Sequence, residues 1–221
     1  MLLYYITDRK QFPGNESERR ERLIEKIAEA ARRGIDYIQL REKDLCGHGL
    51  ESLAKEAAQL IRESRSSTRL LINSRTDIAL AAEAHGVHLT SNDVSPLDVK
   101  KIWREARART EPVIAVSCHT EAAVIAVESA SDRVAADVHV RPAADFVVFG
   151  PVFEKNGVTE TAGINQLRRV CRQRIPVLAL GGVTTENAHL CLEAGASGIA
   201  GIRLFQENDV AAVVTKLRGL K

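Results

Sequence analysis

In the segment GIDYIQLREKDL, residues 34–45, an apolar run is followed by four charged residues. At this junction an amide, Gln39, and two cations, Arg41 and Lys43, occupy alternate positions. Successive side chains of an extended chain point to opposite sides, so Gln39, Arg41 and Lys43 share one side. Glu42 points the other way. An amide beside two cations could bind a highly charged phosphate group. Taken alone, these charges would also be typical of an ordinary solvated loop.

A second group of residues suited to anions lies nearer the C-terminus. Gly181 and Gly182 follow the apolar run VLAL, and the segment GIR at residues 201–203 follows another apolar run. Glycine lets the backbone approach an anion, which N–H groups at the starts of loops and helices can bind. Arg203 could add a charge-assisted hydrogen bond. We therefore predict a phosphate site here, and the alternative is a tight turn that binds nothing.

Both groups belong to a regular alternation of β-rich and helical segments. Eight strands are predicted, at residues 2–7, 36–40, 69–73, 86–89, 112–117, 145–150, 176–182 and 197–202. Amphipathic Ala-rich segments between them predict helices, of which the first ends at Gly34 and another begins at Ser95. This order predicts an α/β fold, a single (β/α)8 TIM barrel over residues 1–221, and no G-x-G-x-x-G follows the first strand to favour a doubly wound sheet. Residues 129–143 form a longer connection than a turn needs.

In such a barrel the catalytic groups gather at the C-terminal ends of the strands. Asn73, Ser117 and His119 lie at predicted strand ends, and they therefore join the candidate site. His88 alternates with apolar neighbours in the predicted fourth strand, and we interpret it as a residue that faces the barrel interior.

Composition argues against several classes of protein. The formal net charge is only +2, which does not favour nucleic-acid binding, and no apolar run approaches the roughly 20 residues that span a bilayer. The N-terminal segment MLLYYITDR lacks the pattern of a secretory signal, and the four cysteines are scattered without a C-x-x-C motif. We expect a reduced, soluble, cytoplasmic protein with neither nucleic-acid nor membrane partners. The sequence leaves open whether it is a homo-oligomer.

Eight ordered motifs resemble those of thiamine-phosphate synthases and their relatives, the thiazole tautomerases. In chain order they read YYITDR, GIDYIQLREKDL, LLINSRTDIAL, GVHLTSNDV, IAVSCHT, DFVVFGPVF, VLALGGVTTEN and AGASGIAGI, and they cover nearly the whole length. The resemblance implies a TIM barrel that joins an aminopyrimidine diphosphate to a thiazole phosphate and releases diphosphate with Mg²⁺ bound. The implied partners are therefore small phosphorylated substrates.

The resemblance also implies roles for residues at the strand ends. Those implied to hold the pyrimidine and its diphosphate are Gln39, Arg41, Lys43 and Asn73, with Ser117 near the pyrimidine. Those implied to contact the thiazole phosphate are Gly182, Ile202 and Arg203. Asp93 is implied as the ligand of Mg²⁺. Within this set, the catalytic residues are expected to be Arg41, Lys43 and Ser117.

Three departures separate the chain from the family patterns. Ser74 stands where the synthase motif IND supplies a second metal-binding aspartate, and EKNGVTETAG replaces a Thr/Lys-rich diphosphate loop. Pro151 stands where tautomerases often have a catalytic histidine, which leaves His119 as the strand-end histidine for that chemistry. We predict a synthase. The alternatives are a tautomerase-like enzyme and a non-catalytic paralogue that binds phosphorylated ligands.

Overall fold

Eight parallel strands close into a barrel in the order of the sequence. The structure is a computed structural model that describes residues 1–134, 143–154 and 161–220. The strands are β1 (Leu2–Ile6), β2 (Tyr37–Leu40), β3 (Arg69–Asn73), β4 (Gly86–Leu89), β5 (Val113–Cys118), β6 (Phe146–Phe149), β7 (Val177–Ala179) and β8 (Gly198–Gly201). Pairing of β1 with β8, in which Tyr4 lies opposite Ala200, closes the cylinder. The predicted (β/α)8 barrel is confirmed, whereas the assignment of residues 1–221 to one domain stays a prediction.

Helices connect the strands around the outside of this cylinder. They are α1 (Glu16–Arg32), α2 (Gly47–Glu63), α3 (Thr76–Ala81), α4 (Pro96–Glu105), α5 (Glu121–Val134), α6 (Gly163–Val170), α7 (Ala188–Glu193), α8 (Arg203–Gln206) and α9 (Val210–Arg218). A short 3₁₀ helix, Arg9–Gln11, precedes α1. None of the described helices is long and apolar enough to cross a membrane.

Local sequence signals set the ends of several helices. Gly34 lies just beyond Arg33, the C-cap residue of α1, and has a φ of +79°, a left-handed conformation that glycine adopts without strain. The Ser95 side chain accepts a hydrogen bond from the Asp98 N–H and so caps α4, as predicted. One boundary was predicted wrongly. Helix α5 continues to Val134, so the first residues of the predicted 129–143 connection are helical. Residues 135–142 lie outside the described part of the chain.

The alternation of side chains along the strands divides the apolar residues into two layers. Leu3 and Tyr5 of β1 belong to the large cluster between the barrel and the helices. Tyr4 and Ile6 belong instead to the smaller cluster that fills the barrel, where Tyr4 packs edge-on against Phe146 with ring centroids 5.6 Å apart. The barrel interior is therefore packed, and polar side chains enter it near its C-terminal rim.

Candidate active site

The two acids of the charged run after β2 bind one buried arginine behind that strand. Arg9 Nη1 lies 3.0 Å from Glu42 Oε2, and the guanidinium forms a bidentate pair with Asp44, with both N···O distances at 2.8 Å. Glu16 accepts a further bond from Arg9 Nε at 2.6 Å. The side chains of Arg9 and Glu42 are only 3% and 1% exposed. The hydrogen bonds from Arg9 hold the pKa of Asp44 well below its usual range.

The two cations of the same run have no acidic partner in the part of the chain that the structure describes. Neither Arg41 nor Lys43 forms an ion pair with any described residue. Lys43 is exposed and Arg41 is half-buried. The Arg41 N–H donates to Thr7 Oγ1 at 3.0 Å, and that hydroxyl donates in turn to Glu42 at 2.6 Å. The acids of this run thus bind Arg9, while the cations form no ion pair with a described residue. Both cations are therefore available to an anion at the rim.

A chain of four polar side chains crosses the interior of the barrel. Gln39 Nε2 donates to the Tyr4 hydroxyl at 3.1 Å, and that hydroxyl lies 2.9 Å from His88 Nδ1. His88 Nε2 lies 2.7 Å from Ser117 Oγ. Burial, together with the positive charge of Arg41, lowers the pKa of His88 to about 3, so the imidazole is neutral at physiological pH. Gln39 and Ser117 were predicted as site residues at the ends of two different strands. The hydrogen bonds through Tyr4 and His88 connect them.

Sequence reasoning missed the two central members of this chain. The sequence places Tyr4 in the first strand without a role of its own, and it places His88 in the barrel interior without identifying its partners. Their signal lies in the alternation of β1 and β4, which turns both side chains inward, and in the register that places His88 beside Asn73. Neither signal identifies Ser117 as the partner, because that contact joins residues 29 positions apart.

Asp93 is the centre of a polar cluster above β3 and β4. Its Oδ2 accepts hydrogen bonds from the Thr90 N–H at 2.6 Å, the Thr90 hydroxyl at 2.9 Å and the Ser74 hydroxyl at 2.7 Å. Burial alone would raise the pKa of Asp93, but these bonds outweigh it and lower the pKa. Asn73 Nδ2 donates to Ser74 Oγ at 3.0 Å and completes the cluster.

This cluster offers a metal one carboxylate. No group of three or more His, Cys, Asp or Glu residues that could hold a metal occurs in the described ranges. Mg²⁺ in proteins is commonly held by one or two carboxylates, with substrate phosphates and water as the other ligands. Since Asp93 Oδ1 accepts no hydrogen bond from the described residues, the donor set fits an ion that shares its coordination shell with a bound diphosphate.

The residues predicted for the second phosphate lie together in a cleft of about 880 Å³ beyond β7 and β8. Gly182, Ile202 and Arg203 all line it. Strand β7 ends earlier than predicted because Gly181 and Gly182 leave the extended conformation, with φ values of +95° and +64°. A Cβ on Gly182 would lie 2.7 Å from Phe153 Cβ, so both conformation and space require glycine there.

The loop after β7 is held in shape by hydrogen bonds to the Asn187 side chain. Asn187 donates from Nδ2 to the Gly182 carbonyl at 3.0 Å and accepts from the Thr184 N–H at 2.8 Å. The N–H groups of Gly182 and Val183 donate to no other described residue. Arg203 is half-exposed in the same cleft and forms no ion pair within the described ranges. Free N–H groups beside an unpaired guanidinium can bind a phosphate group.

His119 also lines this cleft, next to Pro151. Its Nδ1 lies 2.6 Å from the Gly150 carbonyl oxygen, which can only accept a hydrogen bond. Nδ1 therefore bears the proton of the neutral ring, and Nε2 is left as an acceptor. By contrast, the cleft does not include Gln39, Arg41 or Lys43, so the predicted site has two parts.

Comparison with known proteins places this arrangement in context. The sequence pattern of the family described as thiamine monophosphate synthase matches residues 3–205. The protein provisionally named thiamine-phosphate synthase 2 in Aquifex aeolicus (strain VF5) is 37% identical over 208 residues, which cover 93% of this chain and 97% of that protein. The thiamine-phosphate synthase of Clostridium novyi (strain NT) is 31% identical over 211 residues, which cover 94% of this chain and 91% of that enzyme.

A solved structure agrees with these sequence matches. The thiamine phosphate pyrophosphorylase from Pyrococcus furiosus superposes with a TM-score of 0.77 at 28% identity. The match covers 99% of this chain and 94% of that one. The chain therefore shares its overall fold with that protein.

The buried arginine yields a first test, of stability. Arg9→Met should lower the free energy of unfolding by about 3–5 kcal/mol, because it leaves the Glu42 carboxylate buried without its partner. Arg20→Met is a matched control: Arg20 pairs with Glu56 at 2.5 Å on the exposed surface, and its loss should cost less than about 1 kcal/mol. Urea unfolding of both variants at pH 7 measures the difference. Similar small losses in the two variants would contradict the role given to Arg9.

Proposed function

The chain belongs to the thiamine monophosphate synthase family, and on that premise we propose that it joins an aminopyrimidine diphosphate to a thiazole phosphate and releases diphosphate. The observation that supports this most directly is the separation of charge after β2. Arg41 and Lys43 lack acidic partners among the described residues while Glu42 and Asp44 are bound to Arg9. Two unpaired cations at the rim of a neutral barrel interior suit a substrate that is anionic at one end and a neutral heterocycle at the other.

The reaction requires that the bond between the pyrimidine methylene carbon and the diphosphate oxygen break. Diphosphate leaves with the bonding electrons, so its negative charge grows in the transition state, and the cations Arg41 and Lys43 stabilise that charge. The resulting pyrimidine-methyl cation is attacked by the thiazole nitrogen, which forms the new C–N bond. No side chain acts as a nucleophile. In this scheme Gln39 and Ser117 hold the pyrimidine ring, and Asn73 holds the diphosphate end.

The thiazole phosphate occupies the second part of the site in this proposal. The free N–H groups in the loop after β7 and the Arg203 guanidinium bind its phosphate group, while Ile202 contacts the substrate at the rim of β8. Anchoring each substrate by its own anion orients the thiazole nitrogen toward the methylene carbon, which lowers the entropic part of the barrier.

Asp93 and Ser74 are the residues that would hold Mg²⁺. The ion, when bound, would add to the neutralisation of the departing diphosphate. Asp93 Oδ2 already receives three hydrogen bonds, so the carboxylate is held ionised and fixed in orientation. Ser74 would supply a neutral hydroxyl oxygen. A carboxylate in the same position would bind a cation more strongly.

The cellular setting is also proposed. All four cysteines are free, which is compatible with a reduced cytoplasm. Small phosphorylated molecules are the partners that this reaction requires.

A thiazole tautomerase is the second candidate function. His119 favours it, because an imidazole with a free Nε2 lies in the same cleft as the proposed thiazole phosphate site. A tautomerase needs a group that can move a proton within hydrogen-bond reach of the ring. Pro151, in the usual position of the tautomerase histidine, weighs against this function.

A product assay with the purified protein discriminates among these functions. We expect thiamine phosphate and diphosphate from the pyrimidine diphosphate, the thiazole phosphate and Mg²⁺. Calorimetric binding of both substrates without product would instead indicate a non-catalytic binding protein. Rapid conversion of the unisomerised thiazole carboxylate, lost in His119→Ala, would indicate a tautomerase.

The polar cluster around Asp93 yields a second prediction. Asp93→Asn should reduce kcat by about 100-fold or more, because it removes the carboxylate proposed to hold the ion beside the leaving group. Ser74→Asp should lower the Mg²⁺ concentration needed for half-maximal rate. Aspartate also tolerates the φ of +61° at that position. Rates measured over a Mg²⁺ titration test both variants, with Asp98→Asn as the control on an exposed carboxylate. Full activity in Asp93→Asn, or in wild-type protein with all divalent metal chelated, would refute the assignment.

The cleft yields a third prediction. Arg203→Gln should raise the KM for the thiazole phosphate by about tenfold or more, because it removes a charge-assisted hydrogen bond to the phosphate. Lys216→Gln is the matched control, since Lys216 lines the same cleft but is paired with Glu186 at 2.7 Å. The KM for the pyrimidine diphosphate should change in neither variant. Equal effects of the two substitutions would mean that general charge in the cleft, rather than Arg203, binds the phosphate.

A further inference from the structure

Tyr4 and His88 are buried polar residues that the proposed reaction does not use. Both are nearly inaccessible, at 0% and 2% relative exposure. A phenol and an imidazole inside a packed barrel are costly unless their polar atoms are hydrogen-bonded. Here each of them has a partner on both sides, in the chain Gln39–Tyr4–His88–Ser117. A fully connected chain of this kind restricts the direction in which each proton is donated.

The direction is set at the Gln39 end. The amide Nε2 of Gln39 faces the Tyr4 hydroxyl at 3.1 Å, and an amide nitrogen can only donate. The Tyr4 oxygen is therefore the acceptor of that bond, and its own proton needs another acceptor. His88 Nδ1, at 2.9 Å, is the atom in position to accept it.

The same reasoning passes through the imidazole. A neutral histidine has one N–H, so acceptance at Nδ1 places the proton of His88 on Nε2. Nε2 then donates to Ser117 Oγ at 2.7 Å. A protonated ring would donate from both nitrogens and leave the Tyr4 proton without an acceptor. The Ser117 oxygen accepts from His88, and no other described residue takes the serine proton, so that proton is free for a ligand.

We propose that Tyr4 and His88 are positioning residues that fix Ser117 as a hydrogen-bond donor, and the Gln39 carbonyl as an acceptor, toward the substrate ring. This inference rests on the proposed function, in which the ring is an aminopyrimidine. Its edge presents a ring nitrogen, which accepts, beside an amino group, which donates. An oxopyrimidine presents an N–H and a carbonyl at the same two positions, with the roles exchanged.

The predicted protonation of His88 is measured directly in the wild-type chain. In ¹⁵N-histidine NMR spectra at pH 8 the ring should be neutral with its proton on Nε2. The chain has six histidines, and His88 is assigned by the signal lost in His88→Gln or shifted in Ser117→Ala. A proton on Nδ1 of the neutral ring would overturn the proposed direction.

Substrate choice gives the second measurement, with Tyr4→Phe and Tyr5→Phe as a matched pair. Each removes one buried hydroxyl from β1, but the Tyr5 hydroxyl bonds to Gln206 on the outer side of the barrel. Tyr4→Phe should lower kcat/KM for the aminopyrimidine diphosphate by about tenfold and reduce its preference over the oxo analogue by a similar factor. The KM for the thiazole phosphate should stay unchanged, and Tyr5→Phe should alter none of these values. A merely structural role for Tyr4 would reduce stability and leave the substrate preference intact, which would refute the proposal.

The two measurements separate this inference from the proposed function. If the wild-type protein forms no thiamine phosphate, the proposed function fails, and the NMR spectrum still decides the direction of the hydrogen bonds. If turnover is normal but His88 bears its proton on Nδ1, the inference fails and the function stands.

Discussion

The arrangement of the candidate active site depends on the ion pairs between Arg9 and the two acids that follow β2, Glu42 and Asp44. Arg41, Glu42, Lys43 and Asp44 follow one another directly, and without a partner the acids would neutralise the neighbouring cations. A guanidinium binds two carboxylates at once because its donors form a planar fork, and burial strengthens the attraction. The rim of the barrel consequently presents positive charge on one side of a segment after β2 whose four residues carry no net formal charge.

The rim and the interior of the barrel differ in their electrostatics. At the rim, Arg41, Lys43 and Arg203 are charged and lack acidic partners among the described residues, which suits anions that bring their own counter-charge. In the barrel interior, His88 is kept neutral by burial, and its chain of hydrogen bonds passes through uncharged groups. A substrate with an anionic end and a neutral ring can therefore bind across the boundary without burying an unpaired charge.

Local patterns in the sequence predicted much of this structure, and contacts between distant residues were the part it could not predict. Alternation and turn residues located all eight strands, the end of α1 and the cap of α4, because each of these depends on neighbouring residues. The pairing of Arg9 with Glu42 joins positions 33 residues apart, and no local pattern specifies it. The length of α5 was underestimated because an Ala-rich helix has no clear stop signal where the connection was expected to begin.

The pairing of β1 with β8 has a consequence for how the protein folds. Tyr4 takes part in the polar chain from the first strand, while Arg203 and Ile202 follow the last, so the complete site exists only after the two ends of the chain meet. Contacts of such large sequence separation form late and slow the folding of a domain. During synthesis, the edge of β1 that pairs with β8 remains unpaired until β8 has left the ribosome. Exposed apolar surface and unpaired strand edges favour aggregation during this interval. Conditions that slow this final pairing should therefore lower the yield of active protein before they lower the activity of folded molecules.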